Sequence, residues 1–566
     1  KRVNERVEFV KKTLKTEFDF TVNETFKPDR EKADWAKTED ELNEIWRLRL
    51  KSDALSMVLA KKEAKKVYSD LTKRYENFHK VVLQYEAEDV FSIYINSVTQ
   101  SLDPHTDYFS PMNSDNFNIA MKLSLEGIGA RLQTEDDYTK VAEIIPGGPA
   151  AKSGLLKADD KIVGVAQGED GEFEDIIGWR ITDAVKLIRG AKGTLVRLQI
   201  LKAGSDLNAK PIEITIIRDK VKLEDQAAKG SVLEIMNDEK PFRIGVIDVP
   251  KFYNDFEGQR NGDGDSKSTT KDVRKILDSL KTEKVDGVII DLRDDGGGSL
   301  QEAIELTGLF IKDGPVVQVK NSDGNIDIAK DPDPSIVYDG PLAVLVNRFS
   351  ASASEIFSGA IQDYGRGLII GEQTYGKGTV QNLIDLNRLS SKKDFNLGQV
   401  KLTIAKYYRI NGGSTQNLGV IPDIAYPSMI DPIDFGESSE PSALPWDEIK
   451  SADFNKFSDL SKFIPVLNTK HLERISTDKD FKYLLEDINI YKENKKKTFI
   501  SLNEEKRKVE KDKEEQRKFE RDGKTQGESE TELIDDEVPT VKKDKKDFIL
   551  DETAKVLSDY ILMSVG

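Results

Sequence analysis

The 566-residue chain contains no cysteine. Thiol nucleophiles, thiolate metal sites and disulfides are therefore excluded. The absence fits an oxidising compartment, where stray thiols are a hazard. Histidine is nearly as scarce, with His79, His105 and His471 alone. None stands at HExxH spacing, which removes the zinc-protease motif. A Ser-His-Asp triad would have to recruit one of these three. They lie in a charged helix-like stretch, a turn-rich Asp-Pro-His segment and a charged C-terminal region, so surface or turn histidines are the plainer reading. No run reaches the roughly 18 apolar residues that span a bilayer. A net positive charge is missing too. The formal charge is -17, and nucleic acid as main partner would need a basic face. The first residue is Lys1 and no apolar leader precedes it, so a leader has been removed or the chain is trimmed. Compartment is not readable from this N-terminus.

What is present has a changing texture, and the length alone suggests about four domains. Residues 1–117 read as an N-terminal helical domain, with Leu42, Ile45, Trp46, Leu48 and Leu50, then Val67, Leu71 and Tyr75, at helical spacing. Residues 118–222 alternate short β-branched runs with Gly and Pro turns, a small α+β module. Residues 223–430 alternate buried-type strands (Ile244 to Val249, Val288 to Leu292, Leu342 to Val346, Leu368 to Ile370) with helical patterns, an α/β texture. Residues 431–566 are Pro-rich, then charged and helical. Within them, Lys492 to Arg521 predicts a solvated helix or a disordered arm.

The chemistry concentrates in two segments. Asn347-Arg348-Phe349-Ser350-Ala351-Ser352-Ala353-Ser354-Glu355 sets small hydroxyl residues where an apolar strand turns into a helix. Tyr375-Gly376-Lys377-Gly378-Thr379-Val380-Gln381 supplies a lysine between glycines and a glutamine four positions on. A serine at such a turn can be presented to substrate, and a lysine in a dry site can take its proton, which suggests a Ser-Lys hydrolase. Asp291-Leu292-Arg293-Asp294-Asp295-Gly296-Gly297-Gly298-Ser299 also joins a strand to a helix, and its glycines let N–H groups face a developing oxyanion. Gly371 to Gly378 nearly spells a phosphate-binding loop, but Gly378 stands where a Ser or Thr is required, and the continuation looks like a strand. Asn261 to Asp272 imitates a calcium loop without the glycine at its sixth position, so a polar surface insertion is the reading there. Gly127-Ile128-Gly129-Ala130 can point successive N–H groups at a peptide's terminal carboxylate while the peptide adds to a sheet edge. With Gly147-Gly148-Pro149-Ala150-Ala151, Asp160-Lys161-Ile162 and a helix beginning near Thr182, the order of pieces resembles a PDZ domain.

Together, Ser350-Ala351-Ser352-Ala353-Ser354-Glu355, Gly376-Lys377-Gly378-Thr379-Val380-Gln381, the Asp291-Leu292-Arg293 segment with its glycines, and the PDZ-like module resemble the tail-specific proteases, or C-terminal processing peptidases. The long helical flanks resemble the large periplasmic, Prc-like branch of that family. The resemblance implies a multidomain α+β chain: an α/β ClpP/crotonase-like serine protease core, an inserted PDZ domain, and helical N- and C-terminal regions. It chooses Ser352 as nucleophile, Lys377 as base and Gln381 as the residue that positions the lysine. Gly298 and Ala353 match the oxyanion-hole positions, Asp363 a supporting carboxylate, and Gly127, Ile128, Gly129 and Ala130 the peptide C-terminus site. Asp295 departs from the family by occupying a place often filled by Asn. A carboxylate is awkward beside an oxyanion, so its side chain is expected to point away. The resemblance further implies protein substrates with apolar C-termini, a lipoprotein adaptor, no nucleic acid partner, no cofactor, no metal, and a periplasmic location, free or membrane-associated. A non-catalytic PDZ scaffold and a crotonase-like acyl-transfer enzyme are the competing readings.

Overall fold

The structure is a computed structural model that describes every residue except 32, 206–208, 265, 332, 392–394, 523–545 and 566. The calcium-loop imitation, Asn261 to Asp272, thus falls partly outside the described residues. The chain forms two compact units, one from residues 1–90 with 475–547, the other from 91–474 with 548–566.

In the first unit the helices Arg2–Thr13, Glu39–Leu59 and Ala64–Leu83 pack around Val10, Leu14, Leu50, Ala54, Val67 and Leu71. Thr38 caps the second of these, its hydroxyl accepting from Glu41 N at 3.1 Å. Lys51 is buried, and its ammonium is met by the Asp19 carbonyl at 2.6 Å and the Glu24 carboxylate at 2.5 Å. The Lys/Glu-rich run forms the helix Glu504–Asp522.

In the second unit the PDZ-like module holds a sheet in the order Ala130–Glu135, Tyr138–Ile144, Lys161–Gln167, Leu195–Leu201, Ile212–Ile217. The helix Ile181–Ile188 turns Ala184 and Ile188 onto its core. Ser124–Gly127 pairs antiparallel with Asp219–Lys222, so the module's first and last strands are bonded to each other.

The core that follows is a six-stranded sheet ordered Lys229–Asn237, Lys240–Asp248, Gly287–Asp291, Leu342–Val346, Leu368–Gly371, Ile424–Ala425. The first pair is antiparallel and the rest parallel. Successive side chains of a strand point to opposite faces. Val288, Ile290, Val344 and Val346 therefore face the helices Thr269–Thr282, Leu300–Gly308 and Ala353–Asp363. Ile289, Ala343, Leu345 and Ile370 face the other way, onto Leu467 and onto Ala554, Val556 and Leu557 of the helix Phe548–Val565. Burial on both faces is why these strands read as continuous apolar runs. A second, antiparallel sheet holds Ile326–Asp331, Gly314–Asn321, Gln399–Tyr408 and Thr379–Asp385. Its Gln399–Tyr408 strand also pairs with Asp107–Phe109, from ahead of the PDZ-like module.

The ClpP/crotonase-like description of this core needs correction. One sheet face is covered by helices from the far C-terminal part of the chain, and the lysine-bearing sheet recruits a strand from about 270 residues upstream of Thr379. Local sequence texture marks strands and helices but does not say which distant segments complete a layer.

Candidate active site

The strand Leu342–Val346 ends at Asn347, and the helix Ala353–Asp363 starts six residues later. Between them the three serines separate by what surrounds them. Ser350 is fully buried and its hydroxyl donates to the Leu292 carbonyl at 2.8 Å. Ser354 is fully buried and its hydroxyl donates to the Asp295 carbonyl at 2.8 Å. Ser352 is half-buried and lines a cavity of about 640 Å³. Its backbone is held at φ +59° and ψ -111°, a strained state for a residue with a Cβ. Such strain costs on the order of 1–3 kcal/mol and persists where neighbours enforce it. Here the enforcer is Glu355, whose carboxylate accepts from Ser352 N at 2.7 Å.

Glu355 is fully buried and also accepts from Gly376 N at 2.7 Å, Lys377 N at 3.0 Å and Thr374 Oγ1 at 2.6 Å. One carboxylate thus ties the serine turn to the lysine loop. Burial pushes its pKa up to about 7 against these donors. The Tyr407 hydroxyl adds a second tie, reaching the Lys377 carbonyl and lying 3.3 Å from the Ser352 carbonyl.

The Lys377 side chain lines the same cavity as Ser352. Its pKa is lowered to about 8, first by burial and then by the like charge of Lys401, while Glu437, Glu355 and Asp103 pull the other way. No hydrogen bond joins Lys377 Nζ to Ser352 Oγ in this structure. Gln381 lines the cavity too, but its amide nitrogen donates to Thr379 Oγ1 at 2.9 Å and Thr403 Oγ1 at 3.0 Å rather than to the lysine.

Gly298 and Ala353 border the cavity beside Ser352. Neither N–H donates to a described residue, because the bonds that pin the glycine loop, Phe252 N to Gly297 O and Ser299 N to Phe252 O, bypass Gly298 N. A Cβ on Gly298 (φ +153°) would run into the Phe252 carbonyl, so only glycine lets the loop lie this close. Asp295 does not line the cavity. It is wholly buried, with Oδ1 accepting from Gly297 N at 2.7 Å. Asp363 also lies apart, near the far end of the helix that Ser352 begins. There it is bound by Arg409 at 2.5 and 3.1 Å and by Asn411 at 2.8 Å.

In the PDZ-like module Gly127 ends a strand, Ile128 turns its side chain into the module core, and Gly129 (φ +76°) backs against Gly148. The carbonyls of Ile128 and Gly129 are held by Ala150 N at 2.7 Å and Ile145 N at 3.0 Å, while their own N–H groups have no described partner. Ala130 opens the adjacent strand. Beside the loop lies a cavity of about 960 Å³, lined in part by Leu125, Ile181 and Val185.

Family models match nearly end to end. Residues 1–112 match the tail specific protease N-terminal domain, 118–201 the PDZ domain, 243–426 peptidase family S41, and 430–562 the C-terminal domain of tail specific protease. The chain is 40% identical over 572 aligned residues to the tail-specific protease of Haemophilus influenzae, covering 100% of this chain and 79% of that one. The chain belongs to the tail-specific, C-terminal processing protease family. It is 31% identical to the carboxy-terminal processing protease CtpA of Bacillus subtilis, over 63% of this chain and 68% of that one. Among solved structures, the peptide-bound PDZ domain of the carboxy-terminal protease from Vibrio cholerae is 50% identical, covering 18% of this chain and 100% of that one, with a TM-score of 0.17.

This chain is accordingly a serine-type carboxy-terminal processing endopeptidase that recognises C-terminal tails through its PDZ domain. Its core is of S41 peptidase type, which replaces the ClpP/crotonase-like description. Among the described residues, no helix is long and apolar enough to cross a membrane.

Sequence reasoning missed the groups behind the lysine. Asp103, in the Asp-Pro-His turn, accepts from Thr403 Oγ1 at 2.8 Å, and Thr403 in turn accepts from Gln381. His105 Nε2 meets Glu437 Oε2 at 2.7 Å, Glu437 Oε1 accepts from Gln416 at 2.8 Å, and Gln416 accepts from Gly378 N at 2.8 Å. The turn was visible as a motif. Its partners, about 300 residues downstream, carried no local signal.

Proposed function

We propose that Ser352 and Lys377 are the nucleophile and the general base of this protease. Neutral Lys377 takes the Ser352 proton as the serine oxygen attacks the peptide carbonyl. The N–H groups of Gly298 and Ala353 receive the oxyanion, at about 3 to 4 kcal/mol per donor. Lys377 then protonates the leaving amine, and water releases the acyl-enzyme. Gln381 positions the lysine amine without adding charge, and an Asp there would hold it protonated. Asp363 supports the nucleophile helix through Arg409. The observation that carries this reading is that, of three neighbouring serines, Ser352 alone lines this cavity, and that Lys377, one of four lysines lining it, has its pKa lowered by burial to about 8.

The division of labour we infer assigns 118–222 to tail capture, 223–430 to chemistry, and 1–117 and 431–566 to the helical flanks. Gly127, Ile128, Gly129 and Ala130 take the substrate's terminal carboxylate, and the apolar residues Leu125, Ile181 and Val185 favour nonpolar tails. The missing cysteines and the family likeness support a periplasmic setting, where a lipoprotein adaptor presents substrates. The Ser352 and Lys377 side chains are not hydrogen-bonded to each other here, so tail docking completes the dyad by favouring the competent state.

The test is proteolysis of one unstructured protein carrying an apolar tail, a charged tail or an amidated tail, by wild type, Ser352→Ala and Lys377→Ala. We expect both variants to be inactive and the amidated and charged tails to be cut far more slowly. Turnover by either alanine variant rejects the dyad, and equal rates on the amidated tail reject carboxylate capture.

A further inference from the structure

Asp295 binds both halves of the catalytic pocket. Its backbone carbonyl accepts from Ala351 N at 3.0 Å and from Ser354 Oγ at 2.8 Å, on either side of Ser352. Its side-chain Oδ1 accepts from Gly297 N at 2.7 Å. Gly297 is pressed against the serine turn, since a Cβ added there would stand 2.8 Å from Ser352 Cβ and 3.0 Å from Ala353 N. This residue therefore sets the glycine loop and the nucleophile turn at a fixed spacing.

The other oxygen, Oδ2, is buried and has no hydrogen-bond partner, and the side chain as a whole is fully buried. An ionised carboxylate with one backbone N–H donor to its side chain is a costly group to hold in a fully buried place. The protonated acid has nearly the same shape and no charge. The charged groups around it do not reverse this. Gly297 N, Ser354 and the positive charge of Lys251 pull the other way, and Asp248 opposes them. Asp291 and Arg293 pair with each other at 2.6 Å, and Asp294 is bound by Asn347 at 2.8 Å. On the nucleophile turn, Glu355 is occupied by Thr374 and three backbone N–H groups, and Arg348 by backbone carbonyls. Burial dominates and holds the Asp295 carboxyl well above the ordinary range.

We propose that Asp295 is a positioning residue that works as the neutral acid, and that losing its proton to solvent disarms the oxyanion pocket. The proposal rests on the reading of Gly298 and Ala353 as the oxyanion donors. A new negative charge behind those donors repels the negative oxygen of the transition state more than the neutral ground-state carbonyl. It therefore lowers kcat and spares KM.

The same state has a signature that does not involve catalysis. A carboxyl whose folded pKa exceeds its unfolded value binds more protons when folded. Stability then falls as pH rises from about 4 through the folded value, and an amide at this position removes the loss.

The test uses the full chain as wild type, Asp295→Asn, Asp295→Ala and Ser352→Ala. Melting temperatures are compared from pH 5 to 9, and kcat and KM on a protein with an apolar tail from pH 7 to 10. We expect the melting advantage of Asp295→Asn to widen with pH. Its kcat relative to wild type rises by about tenfold as pH rises through the folded pKa of Asp295, with KM within about twofold, while Asp295→Ala loses kcat at every pH by about tenfold or more, a loss that the amide rescues. A melting difference that is flat with pH, or an alkaline decline of kcat identical in wild type and Asp295→Asn, overturns the proposal. Turnover by Ser352→Ala overturns the reading beneath it, and the melting series still reports the charge state of Asp295. Infrared spectra of wild type alone cover a variant that does not fold. Loss of a protonated-carboxyl band with rising pH, in step with kcat, supports the proposal, and no such loss rejects it.

Discussion

The PDZ loop and the catalytic pocket are proposed to perform the same physical task, holding a negative oxygen with backbone N–H groups, and they are built in opposite ways. The loop is contiguous. Ile128 and Gly129 present unused N–H groups within four residues, and the nearby Gly148 to Ala150 turn supports them from behind. The pocket is assembled from Gly298 and Ala353, 55 residues apart in the chain, and both depend on side chains that cross between segments. A contiguous anion site is shaped by its own turn, whereas a discontinuous one needs ties. Here the ties come from two buried residues, Glu355 joining serine turn to lysine loop through its carboxyl group, and Asp295 joining serine turn to glycine loop through its backbone carbonyl and Oδ1.

The strongest way to break this contrast is to cut a tie. Glu355→Gln keeps the size of the side chain but turns an amide NH₂ toward two of the four donors that require acceptors. We expect a kcat loss of about a hundredfold or more and destabilisation of about 3 kcal/mol, because each stranded buried donor costs about 1–3 kcal/mol. Single-turnover kinetics and urea unfolding measure the two effects. Wild-type turnover in this variant would show that the pocket does not depend on its long-range ties.

A smaller effect is expected on the contiguous side. Gly129→Val puts a side chain at φ +76° with its Cβ 3.0 Å from Gly148 Cα. The strain distorts one loop and leaves the pocket's ties alone. KM for a tail-bearing substrate should rise by about tenfold, which matches a loss of about 1.4 kcal/mol in tail binding. Calorimetric titration with a tail peptide checks it. An unchanged affinity would remove the carboxylate role of this loop.

The finest adjustment sharpens the electrostatics of the pocket. Lys401 lowers the Lys377 pKa by like-charge repulsion, second only to burial. Lys401→Met lets the amine's pKa rise above about 8, so the pH midpoint at which activity appears should move upward by a few tenths of a pH unit. Lys401 also pairs with Asp107 at 2.7 Å, so a fold control accompanies the pH profile. A midpoint that moves downward would contradict the assignment of this limb to Lys377.

Much of this was legible because some signals are local. The buried strands Gly287–Asp291 and Leu342–Val346 read as apolar runs, and the Gly-rich turn after Asp291 and the serine turn after Val346 stand where those strands end. The PDZ-like module was readable for the same reason, since its turns and strands follow one another in order. Other features gave no local trace. Three serines in Ser350-Ala351-Ser352-Ala353-Ser354 are equivalent as letters, and burial separates them in the structure. Gln381 stands four residues after the lysine as a letter, but the Thr379 and Thr403 hydroxyls that hold its amide nitrogen are shown only by the structure. Asp295 was expected to point away from the pocket. It does not line the cavity, and it is buried with Oδ1 accepting from Gly297 N, a partner the sequence did not indicate.

The sequence by itself determined the class of chemistry, the strand-turn-helix placement of Ser352, the glycine loops and the PDZ module. Each of these is written in residues within a few positions of one another, where backbone propensity and side-chain spacing act directly. Tertiary structure alone decided that Glu355 knots two loops, that His105 reaches Glu437 across 332 residues, and that the lysine loses affinity for its proton. Burial and long-range hydrogen bonding depend on which distant segments share a low-dielectric interior, and no stretch of sequence carries that information alone.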